Sequence, residues 1–370
     1  MKTGELNGVS RLATDVKSKI WPHFIVPPPA ERDNEVQRTL ISGDGVPNAG
    51  RPLARCWPNR PVLVNLEHVF DEFGEAQCGV WLPKAYDLAR RAGVIAIPVA
   101  SLSDLCGPRA PAFKDAIGAD APIGIAIRVT YQEAADRTTG DLLKRGMDAL
   151  HLGPSECAVL ADFTEDVDFT QPTAVSGVIE STIELLQEVG AWHSVAFEGS
   201  SYPETNPAED GGDALVPRNE WLAWAGAVHF DKNTDERLVF GDYAADCSIV
   251  GFGKGGGKPT RHFRYATPRY WLVVRGDKEG SHKAVMMDVS QRIVESGQFA
   301  GRSFSVADDY IYRTAQGLDG PGSATTWREV NTTHHITRVV RDMGSVKELV
   351  FGDTHVGDED ERQTNLFDLV

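Results

Sequence analysis

The stretch IGIAIRVTYQEAADRTTGDLLKRGMDALHLGPSECAVLADF (123–163) decides the fold class. IGIAIRV (123–129) is an apolar run rich in β-branched residues, TTGDLLKRGMDAL has helical periodicity behind a threonine, and CAVLADF (157–163) is a second apolar run. Strand, helix and strand of these lengths make a βαβ unit, because two parallel strands need a crossover long enough to return the chain to the starting edge. Both strand runs are apolar up to one charged residue near the carboxyl end, as strands covered on both faces are.

The order repeats in both directions. HFIVPP (23–28), PVLVNLE (61–67) and VIAIPV (94–99) precede this unit, and HSVAFE (193–198), RLVFGD (237–242) and HFRYA (262–266) follow it, making eight strand runs. PKAYDLARRAG, TAVSGVIESTIELLQEVG and PRNEWLAWAGAV supply further helices, several with Thr or Pro in front and Gly behind. Parallel strands covered on both faces belong to a closed barrel or a doubly wound sheet, and the reading favours an α/β fold with a TIM-like (β/α)8 barrel over 21–300. A dinucleotide fold would place a glycine-rich turn after its first strand, where HFIVPPPAERD has three prolines and no glycine. Residues 29–59, rich in Gly and Pro, read as a loop insertion around a short helix. RYWLVVRG (269–276) competes with HFRYA for the place of the eighth strand. Residues 1–20 read as an N-terminal arm, 280–297 as a helix, 301–350 as a mostly helical extension packed on the barrel, and 351–370 as an acidic tail.

The 370 residues carry 53 acidic and 37 basic side chains, a formal charge of −16. Such a surface repels phosphate backbones and anionic lipid, which argues against a generic nucleic-acid coat or a membrane-surface protein. Five scattered cysteines with no C-x-x-C pair support neither a disulfide framework nor a zinc knuckle. Without an apolar leader or a spanning run, the expected setting is the cytoplasm.

In a barrel the reactive side chains project from the carboxyl ends of the strands. Those positions hold Glu67 and His68, Arg128, Asp162, Glu198 with Ser200 and Ser201, Asp242, and Arg264 with Tyr265. Glu67, Asp162, Glu198 and Asp242 are the candidate catalytic residues: converging carboxylates can bind a divalent metal or run acid/base chemistry. Arg128 and Arg264 would hold an anionic group, or neutralise the acids. GFGKGGGK (251–258) follows the seventh run, where barrels often cradle phosphate, and Lys254 would add charge. It fails the Walker A spacing, since Phe252 stands where the first glycine belongs. His334 and His335 are neighbours on an expected helix and point about 100° apart, so they do not chelate one metal. Ser200 and Ser201 lack the G-x-S-x-G elbow of serine hydrolases.

EGSSYP (198–203), PRNEW (217–221), VFGDY (239–243), FRYA (263–266) with WLVVRG (271–276), SFSVADDYIY (303–312) and WREVNTTHHIT (327–337) occur in this order. Together they resemble the Beta protein family, named for a bacteriophage protein, over roughly residues 20–345. VLVNLEHV is similar to the family's second strand, with Glu67 as its acid, whereas FIVPPP stands where the family's first strand carries a lysine. The resemblance implies a barrel-like α/β fold and a setting among phage or mobile-element genes, sometimes beside antiviral defence genes. It implies no settled reaction. It ranks Ser201, Tyr243, Arg264, Tyr265, Trp327, Arg328, His334 and His335, with Glu67 and Asp242, as lying in matching strings, and all but the two acids are expected to bind ligand.

Two functions follow. One is a hydrolase or lyase acting on a phosphorylated or nucleotide-like ligand at the barrel mouth. The other is a non-catalytic acidic interaction protein that binds a host, phage or defence-system partner.

Overall fold

The structure is a computed structural model. It describes residues 1–370 apart from 33, 42, 44, 165–166, 231–237, 248–258 and 347–370. Ten strands are described: β1 (His23–Ile25), β2 (Pro61–Asn65), β3 (Ile95–Ser101), β4 (Ile125–Thr130), β5 (Cys157–Asp162), β6 (Ser194–Glu198), β7 (Asp213–Pro217), β8 (Leu238–Gly241), β9 (His262–Ala266) and β10 (Tyr270–Arg275). Seven form one parallel sheet in the order β1-β2-β3-β4-β5-β6-β8; β7, β10 and β9 form a separate antiparallel sheet.

The parallel sheet has two apolar faces, which explains runs that are apolar at successive positions up to their carboxyl ends. Alternate residues Leu63, Ile97, Val99, Ala126, Ala158 and Leu160 pack together on the concave side. Their neighbours Val62, Val64, Ile125, Ile127, Cys157 and Val159 join the larger core on the convex side, beneath helices such as Cys78–Arg91, Thr139–Leu150, Pro172–Val189 and Asn219–Phe230. Strand ends become helix starts through side-chain caps. Ser101 Oγ accepts from the Asp104 N–H while an Asp104 oxygen accepts from the Ser101 N–H, and Thr130 and Glu133 repeat the exchange.

The sheet curls as a half-barrel. Along the ladder His23 is level with Leu63 and Ile97, and so with Trp192, six residues before Glu198. Yet His23 Nδ1 and Glu198 Oε1 meet at 2.8 Å. This displacement is the stagger of tilted strands wrapping about an axis. Among the described residues no pairing joins β1 to β8.

The expected eighth barrel strand is therefore corrected: neither 262–266 nor 270–275 joins the parallel sheet. Only three residues separate β9 from β10, too few for the crossover that parallel neighbours require, so the two pair as an antiparallel hairpin. β7, inserted in the connection from β6 to β8, completes that sheet.

Helices His282–Glu295, Val306–Ala315 and Ala324–Val346 pack on the second sheet. The helix Thr3–Ser10 lies along Ala324–Val346, and Gly4 and Gly8 allow the approach: a Cβ on Gly4 would sit 2.6 Å from the Thr325 carbonyl oxygen, and one on Gly8 would sit 2.7 Å from Thr332 Cβ. Among the described residues no helix is long and apolar enough to cross a membrane.

Candidate functional site

At the carboxyl end of the parallel sheet, β2, β4, β5 and β6 bring one cluster together. Arg128 Nη2 donates to Glu67 Oε1 at 3.0 Å, and Arg128 Nη1 lies 3.5 Å from Asp162 Oδ2. Glu67 and Asp162 keep this guanidinium charged although burial opposes it. Arg128 thus occupies the position between two carboxylates that a cation would otherwise take. Among the described residues no group of three or more His, Cys, Asp and Glu side chains is placed to hold a metal ion.

Asp162 is buried, level with Glu198 on the neighbouring strand. Burial raises its carboxyl above the usual range, and Glu198 adds to the effect. The Thr164 backbone N–H and hydroxyl, bonded to Oδ1 at 2.9 and 2.6 Å, and Arg128 oppose it without cancelling it. Tyr243 stands near Glu198, Asp162, Thr164 and Arg128; burial and the two acids push its phenol strongly up, so it stays protonated.

Glu198 holds His23. With the ring neutral, Nδ1–H donates to the carboxylate and Nε2 keeps its lone pair. Nε2 is buried and has no hydrogen-bond partner.

Asp242 falls outside this cluster. Its Oδ2 lies 2.7 Å from His335 Nε2, and its Oδ1 accepts from the Ala244 N–H at 2.9 Å. Gly241 is level with Glu198, so the alternation of side chains turns the next residue to the other side and returns Tyr243 to the mouth. His335 stacks on Trp271, with ring centroids 4.5 Å apart. Burial lowers its basicity, although Asp242 favours the proton. Ser201 lies in the same seam between the sheets: its hydroxyl donates to Glu220, a buried acid whose carboxyl burial raises.

His334 and His335 do part company, as neighbours on a helix must. His334 contacts Asp308 and the Ala266 carbonyl oxygen, at 3.0 and 2.8 Å, and stacks on Tyr265 at 3.8 Å. The Tyr265 hydroxyl donates to Asp308 at 2.7 Å. These buried groups tie β9 to its helices, away from the mouth. Arg264, Trp327 and Arg328 line a separate cavity, which Tyr243 also borders. Lys254 and the acidic tail lie outside the described residues.

His23 and Glu220 stand at the start of a strand and of a helix, outside the carboxyl strand ends that the sequence singles out. His23 is the first residue of its strand, and only the stagger of the curled sheet carries it to Glu198. The alternation His23–Phe24–Ile25, which sets His23 opposite the buried Phe24, was the available signal.

Residues 1–341 match the family model described as Beta protein. No curated protein matches the chain.

Proposed function

The chain belongs to the Beta protein family, and from that premise we propose that it is an acid/base enzyme whose site is the cluster at the carboxyl end of the half-barrel. The reading rests on one observation: His23 Nδ1 is engaged by Glu198 while Nε2 is buried without a partner. A neutral imidazole so oriented keeps an unused lone pair on Nε2, which becomes a base for a substrate proton once ligand entry uncovers it, with the carboxylate steadying the imidazolium that forms. Asp162, whose carboxyl is raised by burial, is the matching acid. Arg128 meets the charge of an anionic, phosphorylated or nucleotide-like ligand, and Glu67 holds it in place.

Hydrolysis and elimination both suit this pair. In hydrolysis His23 takes a proton from water as it attacks, and Asp162 protonates the leaving oxygen. In elimination the same base removes a carbon-bound proton while the acid assists departure. A phage or defence setting in the cytoplasm accompanies this reading as part of the proposal.

The test has two parts. Nitrogen-15 spectra of the histidine rings should show His23 protonated on Nδ1 in the neutral state; protonation on Nε2 would end the proposal. Incubation with nucleotides and sugar phosphates, followed by mass spectrometry, should reveal turnover that His23→Asn and Asp162→Asn each lower by about 10²-fold or more. Turnover indifferent to both changes would place the chemistry elsewhere.

A further inference from the structure

Beyond the mouth, a cavity of about 270 Å³ lies between β9, the long helix Ala324–Val346 and the helix Thr3–Ser10. It falls just below the roughly 300–1,000 Å³ of pockets for drug-sized ligands, so it suits a small molecule. Two guanidiniums line it, and one carboxylate positions both. Asp246 Oδ1 accepts from Arg264 Nη1 at 2.7 Å and Oδ2 accepts from Arg328 Nη1 at 3.0 Å. Burial disfavours the charge on Asp246, yet Arg264 and Arg328 outweigh it and lower the carboxyl to about 2.

We propose that this cavity binds a small phosphate-bearing ligand, its anionic group held between Arg264 and Arg328. Glu5 and Asp246 match the two guanidiniums in number, but every side-chain hydrogen bond described for the two arginines uses Nη1. A guanidinium has five N–H donors. The donors left for a ligand are those of Nη2 on each arginine; the Nε of Arg264 is buried and adds none. Arg264 also lies over the Tyr202 ring, 4.6 Å from its centroid, which fixes the plane of its remaining donors. A tetrahedral oxyanion has enough oxygens to accept from both arginines while Asp246 stays in place; a planar carboxylate repeats what Asp246 already does. Trp327 forms an apolar wall. Its indole N–H is engaged by the Pro321 carbonyl oxygen at 2.8 Å, leaving only the ring to receive a flat or apolar ligand body.

This site goes beyond the acid/base cluster and does not depend on it. Calorimetric titration of the full chain with inorganic phosphate should show saturable binding in about the millimolar range. Arg328→Gln should weaken it about tenfold or more, and Asp246→Asn, which removes the competing charge, should strengthen it. Arg128→Gln removes the anion contact assigned to the mouth, and the phosphate binding that persists in that variant should still respond to Arg328→Gln and Asp246→Asn, which separates the two sites. Circular dichroism checks each fold; if Arg328→Gln is not folded, the direction seen in Asp246→Asn decides. The proposal is overturned by an absence of saturable binding, by binding that Arg328→Gln leaves intact in the Arg128→Gln background, by weaker or unchanged binding in Asp246→Asn, by complete loss in Arg128→Gln, or by acetate binding as tightly as phosphate.

Discussion

His23 Nδ1 lies 2.8 Å from Glu198 Oε1, joining the first strand of the parallel sheet to the sixth. The contact makes the tautomer of His23 depend on a residue 175 positions away. Glu198→Gln preserves the shape and removes the charge, and a glutamine amide can donate to Nδ1 as readily as its carbonyl accepts from it. The protonated fraction of His23 Nδ1 in nitrogen-15 spectra should therefore fall in Glu198→Gln. An unchanged tautomer would mean that Glu198 does not orient the ring.

The seam between the two sheets rests on His335. His335→Ala removes the stacking on Trp271 and leaves Asp242 without its partner, which should cost about 2–4 kcal/mol in urea unfolding. The wild-type pair also carries a pH signature. Burial lowers His335 below its ordinary 6.5, so the native ring refuses a proton that the unfolded chain accepts. Stability due to this group is full above pH 6.5 and falls as the pH drops below it. His335→Gln should flatten that acid limb, and parallel curves for the two proteins would exclude His335 as its source.

The parallel half of the fold was readable because a strand buried on both faces leaves a run apolar at successive positions, as in Ile125–Thr130 before Arg128 and Cys157–Asp162 before Asp162. The second sheet was hidden for a different reason. HFRYA has the length and aromatic content of a strand, and only the three residues before Tyr270 reveal that it must turn back on itself. β7 alternates between exposed and half-buried residues, a weak signal for so short a strand. At the site, Glu67, Arg128, Asp162 and Glu198 followed from their positions at strand ends. Asp242 satisfied the same rule and failed on parity, because Gly241 takes the concave position level with Glu198. His23 was hidden because sequence shows the order of strands and conceals their stagger.

Two glycines in facing helices should respond to alanine in opposite directions. Gly177, exposed within Pro172–Val189, has nothing within 4 Å of where a Cβ would stand, so Gly177→Ala should stabilise by about 0.5–1 kcal/mol through helix propensity alone. A Cβ on Gly226 would lie 2.5 Å from Ser176 Oγ, and that hydroxyl is engaged with the Ala223 and Pro172 carbonyl oxygens at 2.8 and 2.9 Å. Gly226→Ala should destabilise by about 1–3 kcal/mol. Thermal melts of the two variants that move in the same direction would show that these helices do not pack as described.

Glu329 links stability to pH with the opposite sign to His335. It is buried where Ala324–Val346 meets the N-terminal helices, and burial raises its carboxyl from about 4.5 to about 7. Arg11 Nε, 3.5 Å from Oε1, does not offset that burial. Between those two values the native state holds a proton that the unfolded chain has released, so stability falls as pH rises from about 4.5 to about 7 and is level on either side. The loss is on the order of 3 kcal/mol, because each pH step of one across that window costs about 1.4 kcal/mol. Glu329→Gln keeps a neutral side chain at every pH and should abolish this slope, making the variant the more stable protein at about pH 8. Urea unfolding of both proteins at about pH 5 and about pH 8 checks it: an equal change with pH in the two would show that Glu329 is ionised in the fold and that the interface of the two helices carries a charge at no cost.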